Sequence, residues 1–205
     1  MIVIPIGIDC DLAIVLRKYN IRRVAFPFDW NVTYYGVSNI IKNNFDGFIP
    51  ESVWKVNKCG VLFIHEKLPD DIPKYERRIN RLNQILDSNN IENLERSVVE
   101  SRPSCDEQIV FVRKGHAHHH HEERSDTEND IIDAYRLDVV LKEKYPNLKY
   151  TIIVILVCGD CFDSNKEYIS TSPNVKIYNI AMPHYDANKF EEFFVNVLLK
   201  NKIVY

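Results

Sequence analysis

The stretch "YTIIVILV" (residues 150–157) is apolar at nearly every position. A strand with one wet face alternates apolar and polar residues, whereas an unbroken apolar run of this length reads as a strand buried on both faces. Such a strand needs a covering layer on each side. Working outward, strand-like runs recur at "IVIPI" (2–6), "VAF" (24–26), "GVLFI" (60–64), "QIVFV" (108–112) and "VKIYNI" (175–180). Helical patterns separate them at about 10–19, 35–44, 73–89, 127–144 and 188–200. Strands alternating with helices of this length make βαβ units. The expected fold is therefore three-layer α/β, with a mostly parallel, doubly wound sheet and helices on both faces. In the 73–89 helix, Tyr75, Ile79, Leu82 and Leu86 share the core face, and Arg77, Arg78 and Arg81 fall on other faces, expected to be solvated or ion-paired, with anion binding the less expected alternative.

Two stretches break the rhythm. Residues 45–59 mix aromatics with Gly and Pro and read as an ordered loop packed on the surface. Residues 113–126, "RKGHAHHHHEERSD", are polar and low in complexity, and read as an exposed, mobile His-rich loop. No internal repeat or composition shift divides the chain, so residues 1–205 are expected to form a single domain.

Composition narrows the function. The chain is 45% hydrophobic and 27% charged, as globular proteins are, and its net charge of -3 offers no footprint for nucleic acid or an anionic membrane. The N-terminal apolar run lacks a basic leader and is broken by Pro5 and Asp9, so no signal peptide is expected, and no segment is long enough to span a bilayer. Five cysteines (Cys10, Cys59, Cys105, Cys158 and Cys161) at irregular spacing point to reduced thiols and a cytoplasmic setting. There are six glycines and no phosphate-cradling, dinucleotide-binding, G-x-S-x-G or H-E-x-x-H motif. Neither a nucleotide nor another cofactor is expected.

Four places can carry chemistry. Cys10 stands in "IGIDCDLAIVLRK", where the first strand turns into a helix. The N-terminus of that helix can lower a thiol's pKa, and the carboxyl ends of parallel strands, near a reversal of strand order, are where α/β folds bind ligands. The same residue can equally be a small buried hydrophobe. Asp29 in "AFPFDWN" is flanked by Phe28 and Trp30, so its carboxylate either orients a partner such as a histidine or caps a following helix. His65, with Glu66, ends the "LFIH" strand, and His184 in "AMPHYDANKF" precedes the last helix. Either imidazole can serve a thiol as general base. Clustered histidines in "HAHHHHEE" bind metal adventitiously without a rigid frame, and "CGDC" (Cys158, Cys161) has no second half of a zinc site, so no metal centre is expected.

Several of these residues fall together in one pattern. "IGIDCDLAIVLRKYNIRRVAFPFDWN" resembles the opening of the family described as "Putative papain-like cysteine peptidase (DUF1796)". Its members begin with a strand, then S-L-G-x-x-C-x-x-A-x-x-L-R, then a P-F-D-W box. Gly7, Cys10, Ala13, Leu16 and Arg17 match the first part, and Pro27, Phe28, Asp29 and Trp30 the second. "GVLFIHEKLPDDIPKYERRINRL" is similar to the family's G-x-x-F-x-H-D segment with its tyrosine and paired arginines, and "QIVFVRK" to a later strand ending in F-V-R. The serine and leucine before the glycine are Pro5 and Ile6 here, and Glu66 stands where aspartate is usual. The resemblance implies a thiol-dependent hydrolase with Cys10 as nucleophile, His65 as its base and Asp29 as the candidate to orient it. The expected reaction is on an amide or ester bond of a peptide, protein or acyl substrate, with His184, from its place before the last helix, as the reserve base. N–H groups of the turn after Gly7 would hold the oxyanion. The papain label implies an α+β fold, whereas the periodicity here favours an α/β sheet. On that sheet the cysteine takes the place of the serine of SGNH-type esterases, and acyl transfer becomes an alternative. A protein-interaction module that kept the scaffold without the chemistry is the non-enzymatic reading.

Overall fold

The computed structural model describes residues 1–49, 51–87, 108–116, 127–158 and 169–203. In chain order the elements are β1 (Ile2–Pro5), α1 (Asp11–Lys18), β2 (Asn31–Thr33), α2 (Ser38–Lys42), β3 (Val61–Phe63), α3 (Ile72–Leu86), β4 (Ile109–His116), α4 (Thr127–Lys144), β5 (Tyr150–Cys158), β6 (Val175–Ala181) and α5 (Ala187–Lys200). Strands β1, β4, β5 and β6 form a parallel sheet in that order, while β2 and β3 form a separate antiparallel pair.

The unbroken apolar run of β5 is the reason for the layers. Ile152, Val154 and Leu156 pack on one side with residues of α2, α3 and α4, among them Ile40, Leu82 and Leu137. Ile153, Ile155 and Val157 pack on the other with Leu12 and Leu16 of α1 and Phe190 and Phe194 of α5. Each alternate side chain thus meets its own helical layer, which is the α/β arrangement the periodicity predicts rather than papain-like α+β. Tyr75, Ile79, Leu82 and Leu86 are buried, as their spacing on α3 requires.

The differences from expectation have local causes. "VAF" makes no strand: Pro27 removes a donor and restricts Phe26, whose N–H donates to Asp29 Oδ2 at 2.9 Å. Pairing passes instead to Asn31–Thr33, so "GVLFI" joins a two-stranded ribbon with it and not the parallel sheet. The 45–59 loop is more than surface cover, because Phe48 is fully buried, with its ring 5.4 Å from Phe28 and 5.6 Å from Phe63. β4 continues through His116, so Arg113 and Lys114, expected in an exposed loop, are 2% and 1% exposed. Both are buried because both find carboxylates. The remainder of the His-rich stretch, with Cys105 and Cys161, lies outside the described residues.

Arg113 joins the two sheets. Its guanidinium donates to Asp130 Oδ1 of α4 (2.9 Å), to Ile6 O at the end of β1 (3.0 Å), and to Thr33 Oγ1 and O of β2 (2.7 and 2.9 Å). The backbone adds one more tie, Thr33 N–H to Ile8 O at 2.9 Å.

A second buried network fastens α4 to β5 and to the segment before β6. Asp138 accepts from Lys142 (2.6 Å), Tyr150 Oη (2.7 Å), Ser172 Oγ (2.8 Å) and Asn174 Nδ2 (3.1 Å). Burial alone would push this carboxyl up, but the donors together hold it below the usual range. Its stabilisation is therefore present above the unfolded value of about 4 and fades as pH falls through the lower folded value. Asp138→Asn is expected to cost about 1–3 kcal/mol at pH 7. In urea titrations its deficit against the wild type should shrink in acid. A deficit independent of pH would show that the carboxylate's charge is not what the network holds.

Candidate active site at the turn after the first strand

The parallel ladder outlasts β1. Ile6 N–H donates to Val112 O (2.8 Å), Lys114 N–H to Gly7 O (2.8 Å) and Ile8 N–H to Lys114 O (3.0 Å). Gly7 has φ +90, a conformation that glycine adopts without strain, and the chain then turns into α1. Asp9 Oδ1 accepts from Asp11 N–H at 3.1 Å, a local turn, and Cys10 stands as the N-cap of α1 with its carbonyl receiving Ile14 N–H at 3.0 Å. The thiol is free and half-buried at the carboxyl end of the parallel sheet.

Around it the fold gathers residues from distant parts of the chain. Lys114 Nζ donates to Asp9 Oδ2 at 2.8 Å and to Asp11 Oδ2. It lies 4.5 Å from the ring centroid of Tyr185 and 4.9 Å from that of Phe190. Tyr185, in the loop between β6 and α5, donates its hydroxyl to Asp11 Oδ2. Asp186 anchors the same loop by accepting Asn188 and Lys189 N–H groups at 2.9 and 3.1 Å. Lys114 and Tyr185 are the site residues that sequence reading missed. The signal was present in "FVRK", a strand pattern ending in two cations, but a charged pair reads as a loop until its counter-ions are known.

The electrostatics invert one expectation. Burial pushes the Cys10 thiol up, the carboxylates of Asp9 and Asp11 push it further, and its own backbone N–H and Lys114 offset only part. The helix N-terminus does not make a thiolate here, because the sulfur is half-buried and two carboxylates flank it. Nor are all the turn's donors available for an oxyanion, since Ile8 N–H is spent on Lys114 O and Asp11 N–H on Asp9. The turn also does not mark a reversal of strand order, as β1, β4, β5 and β6 follow one another in sequence among the described strands. Removing a negative neighbour favours the charged form of a thiol. Asp11→Asn is thus expected to lower the pH midpoint of Cys10 alkylation by iodoacetamide, read by peptide mass spectrometry, and Lys114→Met to raise it. Unchanged midpoints would mean that these charges do not reach the sulfur.

The other candidates are distributed unevenly. Asp29 is fully buried and its Oδ2 accepts from Arg22 Nε (3.0 Å) and Nη2 and from Phe26 N–H, so its named partners are a guanidinium and the backbone, not a histidine or a helix N-terminus. Burial holds its carboxyl above the usual range, and Arg22 offsets part of that. His65 is exposed, and its backbone N–H donates to Glu66 Oε2 at 3.1 Å. Glu66 is buried against Tyr75 Oη, so it does not orient the imidazole. Because Thr33 pairs with Val61 and Asn31 with Phe63, the chain beyond Phe63 runs toward the Asp29 end of β2 and away from the Thr33–Ile8 junction. His184 is exposed in the loop that brings Tyr185 to Asp11. Among the described residues no group of three or more His, Cys, Asp and Glu side chains is disposed to hold a metal ion, and no helix is long and apolar enough to cross a membrane.

No curated protein and no solved structure gives a significant match to the chain. Residues 1–67, which carry Cys10, Asp29 and His65 but neither Lys114 nor His184, match the model of the family described as "Putative papain-like cysteine peptidase (DUF1796)".

Proposed function

We propose that the protein is a thiol-dependent hydrolase or acyl transferase that uses Cys10 as its nucleophile. The observation that carries this reading is a free, half-buried thiol on the first turn beyond β1, at the carboxyl end of a parallel sheet, within the residues that match a cysteine-peptidase family. With its pKa raised, the resting sulfur is a thiol, and a base must remove its proton as it attacks. His184 is the base this arrangement favours, because the next residue, Tyr185, bonds to Asp11, the neighbour of Cys10. His65 is the alternative.

In the proposed cycle the sulfur bonds to the substrate's carbonyl carbon while the imidazole takes the thiol proton. The bond from that carbon to the leaving nitrogen or oxygen then breaks, and the imidazolium returns the proton to the leaving group. Water, or a second nucleophile in acyl transfer, attacks the resulting thioester, gives its proton to the imidazole, and frees the acyl product. The departing sulfur recovers that proton. An ester suits this site better than an amide, since an alkoxide or phenolate needs less help to leave than an amine. Incubation with p-nitrophenyl acetate or a peptide p-nitroanilide, followed by peptide mass spectrometry, tests the proposal. Acyl mass is expected on the peptide bearing Cys10, faster from the ester, and none on that peptide in Cys10→Ala. Equal labelling of the other thiols would favour the interaction module that lacks the chemistry.

A further inference from the structure

Of the three arginines of α3, Arg77 is exposed, but Arg78 and Arg81 do not lie on a solvated face. Arg78 is 9% exposed, lies 5.3 Å from the Tyr75 ring centroid, and its Nη1 is buried without a hydrogen-bond partner. Arg81 is half-buried, and while its Nη1 donates to Ala25 O at 2.8 Å, its buried Nε has no partner either. Arg22 lies 5.7 Å from the Trp30 ring centroid and donates to Asp29 Oδ2, leaving Asp29 Oδ1 buried and unpartnered. These four residues share one neighbourhood: Arg81 bonds the carbonyl of Ala25, the next residue, Phe26, donates its N–H to Asp29, and Arg78 lies one turn before Arg81 on α3.

The nearby acids are already committed. Glu66 is held by Tyr75 Oη and Lys74, and Asp71 by Lys67 N–H and Lys74. Arg22, Arg78 and Arg81 thus share one buried carboxylate, Asp29. Asp71 also responds to Arg78, while Arg77 adds positive charge at Arg81, so the cluster stays net positive on a chain whose net charge is -3. Desolvated guanidiniums lacking a counter-ion are costly, and their planar donor forks suit oxyanions. The unpartnered Asp29 oxygen adds a requirement, because it would repel an anion that has no proton to donate.

We propose that Arg22, Arg78 and Arg81 form a binding site for hydrogen phosphate, whose negative oxygens can take the unspent Arg78 Nη1 and Arg81 Nε donors and whose P–O–H donates to Asp29 Oδ1. Sulfate has the charge but no such proton at pH 7, and neither has the dianion of a phosphate monoester. The site is independent of the Cys10 reading, as Arg22 follows the C-terminal end of α1 and Cys10 caps its N-terminal end.

Trp30 supplies the readout. The chain has two tryptophans, and Trp54 is 73% exposed, so Trp54→Phe leaves Trp30 as the single reporter. Potassium phosphate added at pH 7 and constant ionic strength should give a saturable change in Trp30 fluorescence. Sulfate, glycerol phosphate and chloride should each give a weaker one. Arg81→Gln, checked for an unchanged circular dichroism melt, should weaken phosphate binding by about tenfold or more. Arg78→Gln replaces it if that variant unfolds early. A response to sulfate or glycerol phosphate as tight as that to phosphate overturns the proposal. So does a phosphate response no greater than that to chloride, or one that both arginine variants retain.

Discussion

Arg113→Met is expected to destabilise the protein by about 4 kcal/mol, the largest effect of any single change at the junction of its two sheets. The arginine is 2% exposed, and its carboxylate partner Asp130 is 3% exposed. Removing the guanidinium leaves a buried charge uncompensated. It also strips the carbonyls of Ile6 and Thr33 and the Thr33 hydroxyl of their donor. Methionine fills much of the volume, so the loss reports on polar groups rather than on a cavity. Against a typical stability of about 5–15 kcal/mol, such a variant is left marginal. Arg113→Lys keeps the charge, but a single ammonium cannot reproduce a fork that serves β1, β2 and α4 at once, and it should recover only part of the loss. Urea denaturation of the three proteins checks this. A loss below about 1 kcal/mol would mean that the joint is not where the sheets are held.

Gly7→Ala is expected to cost about 3 kcal/mol, for two reasons that meet at the same place. A residue with a side chain at φ +90 is strained by about 1–3 kcal/mol. A Cβ there would also lie 1.8 Å from Thr33 Oγ1 and 2.6 Å from Arg113 Nη1, so the clamp itself must move. The two substitutions therefore damage one structure, and their effects should not add. In the double variant the total should fall short of the sum by about 1 kcal/mol or more. Gly7 immediately precedes the turn that carries Cys10, so Gly7→Ala should also alter the rate of Cys10 alkylation. A fully additive cycle would separate the two residues energetically and remove this link between fold and site.

The layers were legible in the sequence because they rest on local patterns. β5 has no polar position to spare, and α3 repeats its apolar residues at helical spacing. What was not legible depends on partners far along the chain. "VAF" has better strand composition than "NVT", yet the strand is the second, because Thr33 meets Arg113 and Ile8. Arg113 and Lys114 look like the start of a loop until Asp130, Asp9 and Asp11 are brought to them. The site shows the same division. A cysteine at a strand-to-helix turn can be read from one line of sequence. The sign of its pKa shift cannot, since the flanking carboxylates act together with a lysine more than a hundred positions away. In the sequence Asp29 reads as a partner for histidine or as a cap, and Arg78 as a solvated or ion-paired charge. Asp29 instead meets Arg22, and its own Oδ1 and Arg78 Nη1 stay buried without hydrogen-bond partners.

The most direct test of Cys10 as a nucleophile assisted by a histidine is the rate of its acylation by p-nitrophenyl acetate, followed by quenched-flow mass spectrometry across pH 5–9, in the wild type, His184→Ala and His65→Ala. A general base contributes about 10²–10⁴-fold, so His184→Ala should slow acylation by that factor. His65→Ala should stay within about twofold of the wild type, and a loss confined to His65→Ala would overturn the choice of His184 as the base. Acylation of Cys10 at the same rate in all three proteins, rising with pH only as a free thiol's would, would contradict the account and leave the first turn of this sheet as scaffold.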